Sequence, residues 1–270
     1  MSHVAAINRT WLNFSILQRA GGVLCGALFL AGLVRAEDFS FTNSLARAAL
    51  AEQRGDIPAA VKIYSEAESL ASSNAANLCV LSRRYCDLMY LTNATSAKMD
   101  LLNRALHCAL QAVKAGPQDA TAHACAAVCY AKSSTFADLK TELAYSRLFK
   151  LEAEKTIALD PGQDIAYYLL GRWNYGVANV GLLSRAFVKV VYGGLPKASN
   201  EDAIANFKKA IELVPDRIIH HAGLAMVYAA TGDRTLEIAE LEKCRILKPA
   251  DREDAEAQRE AAKKLAALDR

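Results

Sequence analysis

One segment of the sequence carries the clearest evidence for a fold. Residues 203–249 read AIANFKKAIELVPDRIIHHAGLAMVYAATGDRTLEIAELEKCRILKP, with two helix-like phrases that end at Pro215 and Pro249. Proline cannot continue a helix and biases the preceding residue away from helical angles, so each phrase is expected to end a helix. The two prolines lie 34 residues apart, a period typical of stacked helix pairs.

Two earlier phrases of the same kind extend this pattern toward the N-terminus. AVKAGP ends at Pro117 and TIALDP ends at Pro161, which places the successive prolines 44 and then 54 residues apart. These units therefore carry insertions of about 10 and 20 residues relative to the 34-residue period. A small–large–small stripe, which lets two helices approach closely, also recurs. It comprises Ala60, Tyr64 and Ala67 in one copy and Ala203, Phe207 and Ala210 in the other.

The helix pairs and their turns are legible along most of the chain. Gly55-Asp56 and Gly232-Asp233 suit the turn inside a pair, and Asp56 and Ser199 suit helix N-caps. We predict pairs at 42–71, 75–114, 119–159, 164–213 and 217–247, then a closing helix at 251–268.

This organisation resembles the tetratricopeptide repeat family. The resemblance implies an all-α, right-handed superhelix of about five helix pairs, with an inserted helix and a C-terminal capping helix. We expect a leader at 1–36, the repeat domain at 37–250 and the capping helix at 251–270. A polar last helix suits the end of a solenoid, where one face must remain soluble.

A more specific resemblance covers about 50 residues. Residues 167–215 read YYLLGRWNYGVANVGLLSRAFVKVVYGGLPKASNEDAIANFKKAIELVP. The phrase is similar to one in the regulator of microtubule dynamics family: a Gly-Arg-Trp helix, an inserted apolar helix, a Gly-Pro loop and an Ala/Phe/Ala helix. Leu182 and Ser184 replace an aromatic and an acid expected in the insert. The resemblance implies a helical-repeat binding protein that an N-terminal segment often tethers to a membrane, and animal members are associated with microtubules and organelle membranes.

The charge balance argues against nucleic-acid binding. The first 36 residues hold three arginines and no acid, whereas the remainder has 29 basic and 29 acidic residues. The net charge of +3 therefore belongs to the leader, and the body offers no basic excess for a phosphate backbone.

The leader is predicted to be a targeting signal or a membrane anchor. Residues 20–34 read AGGVLCGALFLAGLV, and Val34-Arg35-Ala36 suits signal cleavage. This apolar run is shorter than the roughly 20 residues of a usual membrane span. A cleaved export signal, an uncleaved anchor and a mitochondrial transit peptide remain open, and so do an extracytoplasmic and an organelle-membrane location.

The first helices supply candidate residues for a partner-binding groove. A guanidinium between two phenols, as at Arg172, suits bidentate binding of a carboxylate or phosphate, and Tyr and Arg are enriched at binding hot spots. The alternative is that Arg172 pairs with an acid on a neighbouring helix while the tyrosines only pack. The candidates are His123, Tyr130, Tyr168, Arg172, Tyr175, Ile219 and Met226.

The insert at 179–199 is the second candidate site. Its apolar residues recur on one helical face, which predicts an amphipathic helix. Either this helix plugs the inner face of the superhelix, or it walls an apolar pocket for an acyl chain or a partner helix. The residues concerned are Leu182, Leu183, Phe187, Val190 and Val191, with Trp173 packing against them.

The remaining reactive side chains give no catalytic or metal signature. Cys125 and Cys129 fall at core positions of a helix, so structural thiols are expected, although six body cysteines leave disulfides open. His123 and Cys125 diverge on a helix and are poorly spaced for zinc. We therefore expect no enzyme, no cofactor and no metal.

The leading hypothesis is a scaffold that binds a protein or peptide in its groove. The alternative is a protein that binds a lipid or small apolar ligand beside the insert.

Overall fold

The computed structural model describes residues 36–71 and 74–268. Within these residues the chain forms helices and one 3-10 turn, at Met89–Leu91, and no strand. The helices are α1 (Ala36–Gln53), α2 (Ile57–Ala71), α3 (Ala75–Leu88), α4 (Thr95–Ala115), α5 (Ala120–Ser134), α6 (Leu139–Leu159), α7 (Asp164–Ala178), α8 (Leu182–Tyr192), α9 (Asn200–Leu213), α10 (Ile218–Thr231), α11 (Arg234–Ile246) and α12 (Arg252–Leu268).

The helices pack as consecutive pairs. In the described part of the chain, α3 packs on α4, α5 on α6, and α10 on α11, while α7 packs on α9 across the inserted α8. The first helices also contact one another from pair to pair, α3 with α5, α5 with α7 and α7 with α10. The predicted all-α superhelix of about five pairs, with an insert and a closing helix, is confirmed. The first pair begins earlier than predicted, at Ala36.

Turn and cap chemistry sets the ends of these helices. Gly55 and Gly232 adopt left-handed angles, with φ of 74° and 82°, which glycine reaches without a Cβ clash. Asp56 accepts a hydrogen bond from the backbone N–H of Ala59 at 3.1 Å. Ser199 accepts one from the N–H of Asp202 at 3.0 Å. Both side chains thus satisfy free N–H groups at a helix start.

The aromatic residues of the small–large–small stripes lie at the centre of the pairs. Tyr64 and Phe207 are fully buried. The ring of Phe207 lies against Gly171 of α7 and Gly223 of α10, where no side chain would fit. Three helices, α7, α9 and α10, therefore pack around the ring of Phe207.

The last helix is integrated into the fold. α12 contacts both α10 and α11, and Ala261 and Leu265 join Ile218, Leu241 and Cys244 in a second apolar cluster. The remaining pairs share one larger core.

The predicted leader lies outside the described residues, apart from Ala36. None of the helices described combines the length and apolarity needed to cross a bilayer.

Candidate functional site

A cavity of about 160 Å³ opens where three consecutive pairs meet the start of α12. The 3-10 turn after α3 contributes Tyr90, α5 contributes Lys132, α7 contributes Tyr168 and Arg172, and α12 contributes Glu253. We refer to this cavity as the inner pocket, and its lining also includes apolar side chains such as Met89, Phe136 and Leu169.

Lys132 is the paired cation of the inner pocket. Its Nζ donates to Glu253 Oε1 at 2.7 Å and to Tyr90 Oη at 2.8 Å, and its side chain is 13% exposed. Burial alone would lower the pKa of Lys132, but the carboxylate of Glu253 and the phenol of Tyr90 raise it above its ordinary value. Lys132 is therefore charged at any physiological pH.

Arg172 is the second cation, and its partner is neutral. Its Nη1 donates to Tyr168 Oη at 3.4 Å, and the guanidinium lies 6.0 Å from the centre of that ring. Within residues 36–71 and 74–268, no carboxylate lies within ion-pair distance of it. The phenol of Tyr168 and, to a lesser extent, the charge of Glu253 raise the pKa of Arg172, while burial opposes them. The ion pair considered as an alternative for Arg172 is therefore not formed in the described chain.

The acid of the inner pocket comes from four consecutive charged residues, 251–254, which we call the DRED segment. Together they contact α1, α5 and the start of α10. Asp251 accepts from Arg217 Nη1 at 2.7 Å, and Arg252 Nη2 donates to Glu52 Oε2 of α1 at 2.9 Å. Glu253 pairs with Lys132, and Asp254 accepts from the backbone N–H of Ile219 at 3.0 Å.

This role of the DRED segment was not predicted from the sequence. Acids at the start of a helix are ordinary because they favour the helix dipole, so Asp251 and Glu253 gave no distinct signal. Their partners lie 34 and 121 residues away in the sequence, beyond the reach of any local pattern.

The groove candidate His123 makes its contacts within its own repeat. Both ring nitrogens of His123 are occupied: Nδ1 lies 2.5 Å from Glu152 Oε2, and Nε2 lies 3.1 Å from the carbonyl oxygen of Pro117. His221 repeats the arrangement with Glu240 and Pro215, at 2.6 and 2.8 Å. Because His221 repeats the contacts of His123, we interpret His123 as a contact between the two helices of its own pair and do not include it in the proposed binding surface.

The remaining candidates divide between core and pocket. Tyr130 is buried, and its ring centre lies 5.5 Å from that of Tyr145. Ile219 is also buried, and its backbone N–H donates to Asp254. Tyr175 and Met226 are half-buried against the main core. Tyr168 packs on Phe207 and His220, and its hydroxyl contacts Arg172. Of the seven candidates, Tyr168 and Arg172 line the inner pocket.

The insert has a different orientation from the one expected. Leu182 and Val190 are 85% and 86% exposed, and Val191 is also exposed. Val188, which lies outside the expected stripe, is buried. The described part of the stripe therefore faces solvent, which does not fit a plug of the inner face of the solenoid. The side chains of Leu183 and Phe187 lie outside the described part of the structure.

Trp173 and the cysteines belong to the packed interior. Trp173 is buried, and Lys150 Nζ of α6 lies 5.1 Å from the ring centre. The six body cysteines are buried free thiols, and the sulfurs of Cys86 and Cys129 lie 3.9 Å apart. Burial raises the pKa of the Cys108 thiol to about 12. The described residues contain no cluster of three or more metal-ligating side chains.

Comparisons with known proteins agree with this architecture. The family model described as regulator of microtubule dynamics protein 1-3 matches residues 44–269. Regulator of microtubule dynamics protein 3 of Xenopus laevis is 33% identical over 135 residues, 50% of this chain and 29% of that protein. The human protein 2 is 27% identical over 190 residues, 70% of this chain and 46% of that protein. The matches thus span less than half of either relative.

A solved structure supports the fold. The tetratricopeptide repeat protein TTC0263 of Thermus thermophilus superposes with a TM-score of 0.55 at 18% identity, over 82% of this chain and 98% of that one. At this identity the likeness concerns the fold alone.

Proposed function

Because the chain belongs to the regulator of microtubule dynamics protein 1-3 family, we propose that it is a non-catalytic scaffold that binds a protein or peptide on its concave surface. Helical-repeat solenoids present extended concave surfaces that bind other proteins. The inner pocket is the proposed centre of that surface.

One observation carries the proposal: the guanidinium of Arg172 lies beside Tyr168 in a cavity shared by three pairs and, within residues 36–71 and 74–268, has no carboxylate within ion-pair distance. Arg and Tyr combine a large contact area with a directed polar tip, and they dominate binding energy at protein interfaces. The buried rings behind Tyr168 hold its hydroxyl in place, so the pocket is pre-organised for a partner.

The names of the relatives suggest the first partner to test. The proteins that this chain resembles are called regulators of microtubule dynamics, and microtubules are therefore the proposed partner. Purified chain is mixed with stabilised microtubules, and the co-sedimenting fraction is measured for the wild type, for Arg172→Ala and for Tyr168→Phe. Arg147→Ala, at an exposed position on α6, is the matched control.

We expect both pocket variants to lower the co-sedimenting fraction, while the control matches the wild type. Added salt should weaken wild-type binding, since an exposed charge contributes to it. Equal sedimentation of wild type and pocket variants would place the interface elsewhere. Failure of the wild type to sediment would exclude microtubules as the partner.

The N-terminal 36 residues are proposed to export the chain or to tether it to a membrane, including an organelle membrane of a eukaryote. The Xenopus laevis and human relatives are vertebrate proteins. N-terminal sequencing of the mature chain separates the two roles: a start at Glu37 indicates a cleaved signal, and a retained leader indicates a tether.

The alternative function, binding of a lipid or small apolar ligand, has support only from the exposed apolar side chains of α8. Leu182 and Val190 offer an apolar face, and such faces mark interaction sites. Replacing Val190 with Glu should abolish binding of an apolar ligand there and leave microtubule binding unchanged.

A further inference from the structure

We propose that the inner pocket binds a carboxylate of an acidic peptide, and that Glu253 is an intramolecular competitor for this site in the free chain. This inference rests on the proposed function, because it names the ligand class of the same surface.

The charge count of the inner pocket leaves one cation available. Lys132 and Arg172 face the cavity together with a single carboxylate, that of Glu253. Lys132 holds that carboxylate at 2.7 Å, while Arg172 donates to the phenol of Tyr168 and interacts with Glu253 only through its charge, beyond ion-pair distance. A guanidinium matches a carboxylate with two parallel hydrogen bonds, which a phenol cannot supply. An incoming acid therefore gains a bond geometry at Arg172 that the free chain does not provide.

The two phenols add donors at the same place. Tyr90 Oη accepts a hydrogen bond from Lys132, and Tyr168 Oη accepts one from Arg172. Each phenol therefore retains its own O–H to donate, and a carboxylate only accepts. The pocket offers two cations and two hydroxyl donors to an acid, the complement of a glutamate or aspartate side chain or of a chain terminus.

Glu253 is held at this site by its neighbours. Asp251 is fixed by Arg217, and Asp254 is fixed by the N–H groups of Ile219 and Ala250. A tethered group acts at a high effective concentration, so it competes strongly with a free ligand. The DRED segment thus keeps wild-type affinity low, and a partner with more than one acid can replace Glu253 at Lys132 while also binding Arg172.

The size of the cavity favours a peptide acid over a larger ligand. The 160 Å³ of the inner pocket is below the roughly 300–1,000 Å³ of usual small-molecule sites. It corresponds to about five water molecules, which suits one carboxylate group and not an acyl chain.

Fluorescence anisotropy of labelled hexaglutamate against hexaglutamine tests the inference with the full chain. We compare the wild type with Glu253→Gln, which removes the competing charge, and with Glu256→Gln, an exposed site on the same helix. Glu253→Gln should bind hexaglutamate roughly five-fold more tightly, the factor expected for loss of one competing ion pair. Glu256→Gln should match the wild type, hexaglutamine should not bind, and Arg172→Gln should abolish binding in either background.

Several outcomes would overturn the proposal. Equal affinity of Glu253→Gln and wild type for hexaglutamate would remove the competitor role. Absence of hexaglutamate binding, together with microtubule binding that depends on Arg172, would refute the ligand class and leave the proposed function intact. Binding of phosphatidylglycerol vesicles through Arg172, without hexaglutamate binding, would assign the pocket to a membrane surface instead. Microtubule binding that is independent of Arg172 would contradict the inner pocket as the centre of the interface.

A stability measurement keeps the test valid if a variant folds poorly. Glu253→Ala leaves Lys132 without its acid, so its melting temperature should fall. Sodium propionate should restore more of that loss than sodium chloride at equal ionic strength, and it should leave the wild type nearly unchanged. An equal shift in both proteins would contradict a carboxylate site.

Discussion

Gly223 shows at the residue scale how one side chain determines where two helices can meet. A Cβ at this position would lie 2.3 Å from Cε1 of Phe207, well inside the van der Waals contact distance. Gly176, in α7, has no atom within 4 Å of the same test position. The two glycines therefore separate the cost of overpacking from the effect of glycine on the helix backbone.

Gly223→Ala is expected to lower the free energy of unfolding by about 1–3 kcal/mol, because the ring of Phe207 cannot move out of a closed core. Gly176→Ala should instead raise it by up to about 1 kcal/mol, the usual gain from replacing glycine in a helix. Urea denaturation followed by circular dichroism measures both. An equal effect of the two substitutions would show that Phe207 does not limit the approach of α10.

Asp87 of α3 supplies a pH-dependent term in stability. Burial raises its pKa to about 6, and the charges of Asp251 and Glu52 act in the same direction, while Arg84 and Arg252 oppose them. The folded chain therefore binds this proton more tightly than the unfolded chain, whose Asp pKa is about 3.9. The charged carboxylate costs stability above pH 6, and that cost disappears as the pH falls toward 4.

Asp87→Asn should accordingly be more stable than the wild type at pH 7, by roughly 1–2 kcal/mol after allowance for partial exposure of the side chain. The difference should shrink steadily between pH 7 and pH 4. Chemical denaturation at several pH values gives the profile, with Asp100→Asn, at an exposed position on α4, as the surface control. A constant difference across this range would show that Asp87 does not titrate there.

At the scale of helices, the sequence predicted where the helices begin and end better than it predicted which faces of the helices are buried. Pro117, Pro161, Pro215 and the Gly-Asp turns mark helix ends by local chemistry, and the observed pairs follow them. The apolar stripe of α8 correctly predicted a helix, but a stripe does not say whether anything covers it. That depends on α7 and α9, which pack on each other and leave α8 outside.

The same limit applies to the candidate site. Tyr168 and Arg172 were found because both lie on one helix, four residues apart. Tyr90, Lys132 and Glu253 were missed because three other elements bring them there. The contacts of His123 with Glu152 and Pro117 were not predicted, because an exposed and an intra-pair position on a first helix differ only in the direction of the side chain. The recurrence of a histidine six residues after Pro117 and Pro215 was the available signal.

Substitutions in α8 test its orientation. Val190 is 86% exposed and Val188 is 3% exposed, two residues apart on one helix. Val190→Glu should change the free energy of unfolding by less than about 0.5 kcal/mol, as surface substitutions do. Val188→Glu should lower it by about 1–3 kcal/mol because it buries a charge. The opposite ranking in thermal or urea denaturation would place the stripe of Val190 against the protein.

At the scale of the whole molecule, the DRED segment changes how the repeats depend on one another. A simple solenoid is stabilised only by contacts between neighbouring repeats. Here Arg252 of α12 pairs with Glu52 of α1, 200 residues away, and Glu253 reaches Lys132 of α5. These contacts connect the last helix to the first and middle pairs. Local unfolding at one end of the solenoid should therefore lower the stability of the other end.

Arg252→Ala tests that connection. The side chain of Glu52 is only 6% exposed, so loss of Arg252 leaves a buried carboxylate whose remaining partner is the hydroxyl of Tyr64. We expect the free energy of unfolding to fall by about 1–3 kcal/mol. Amide hydrogen exchange should accelerate in α1 and α2, although the substitution lies at the opposite end of the chain, and it should stay unchanged in α6. Arg259→Ala, an exposed position on the same helix, is the control. Faster exchange confined to α12 would show that the first and last helices are energetically independent, as nearest-neighbour repeats would be.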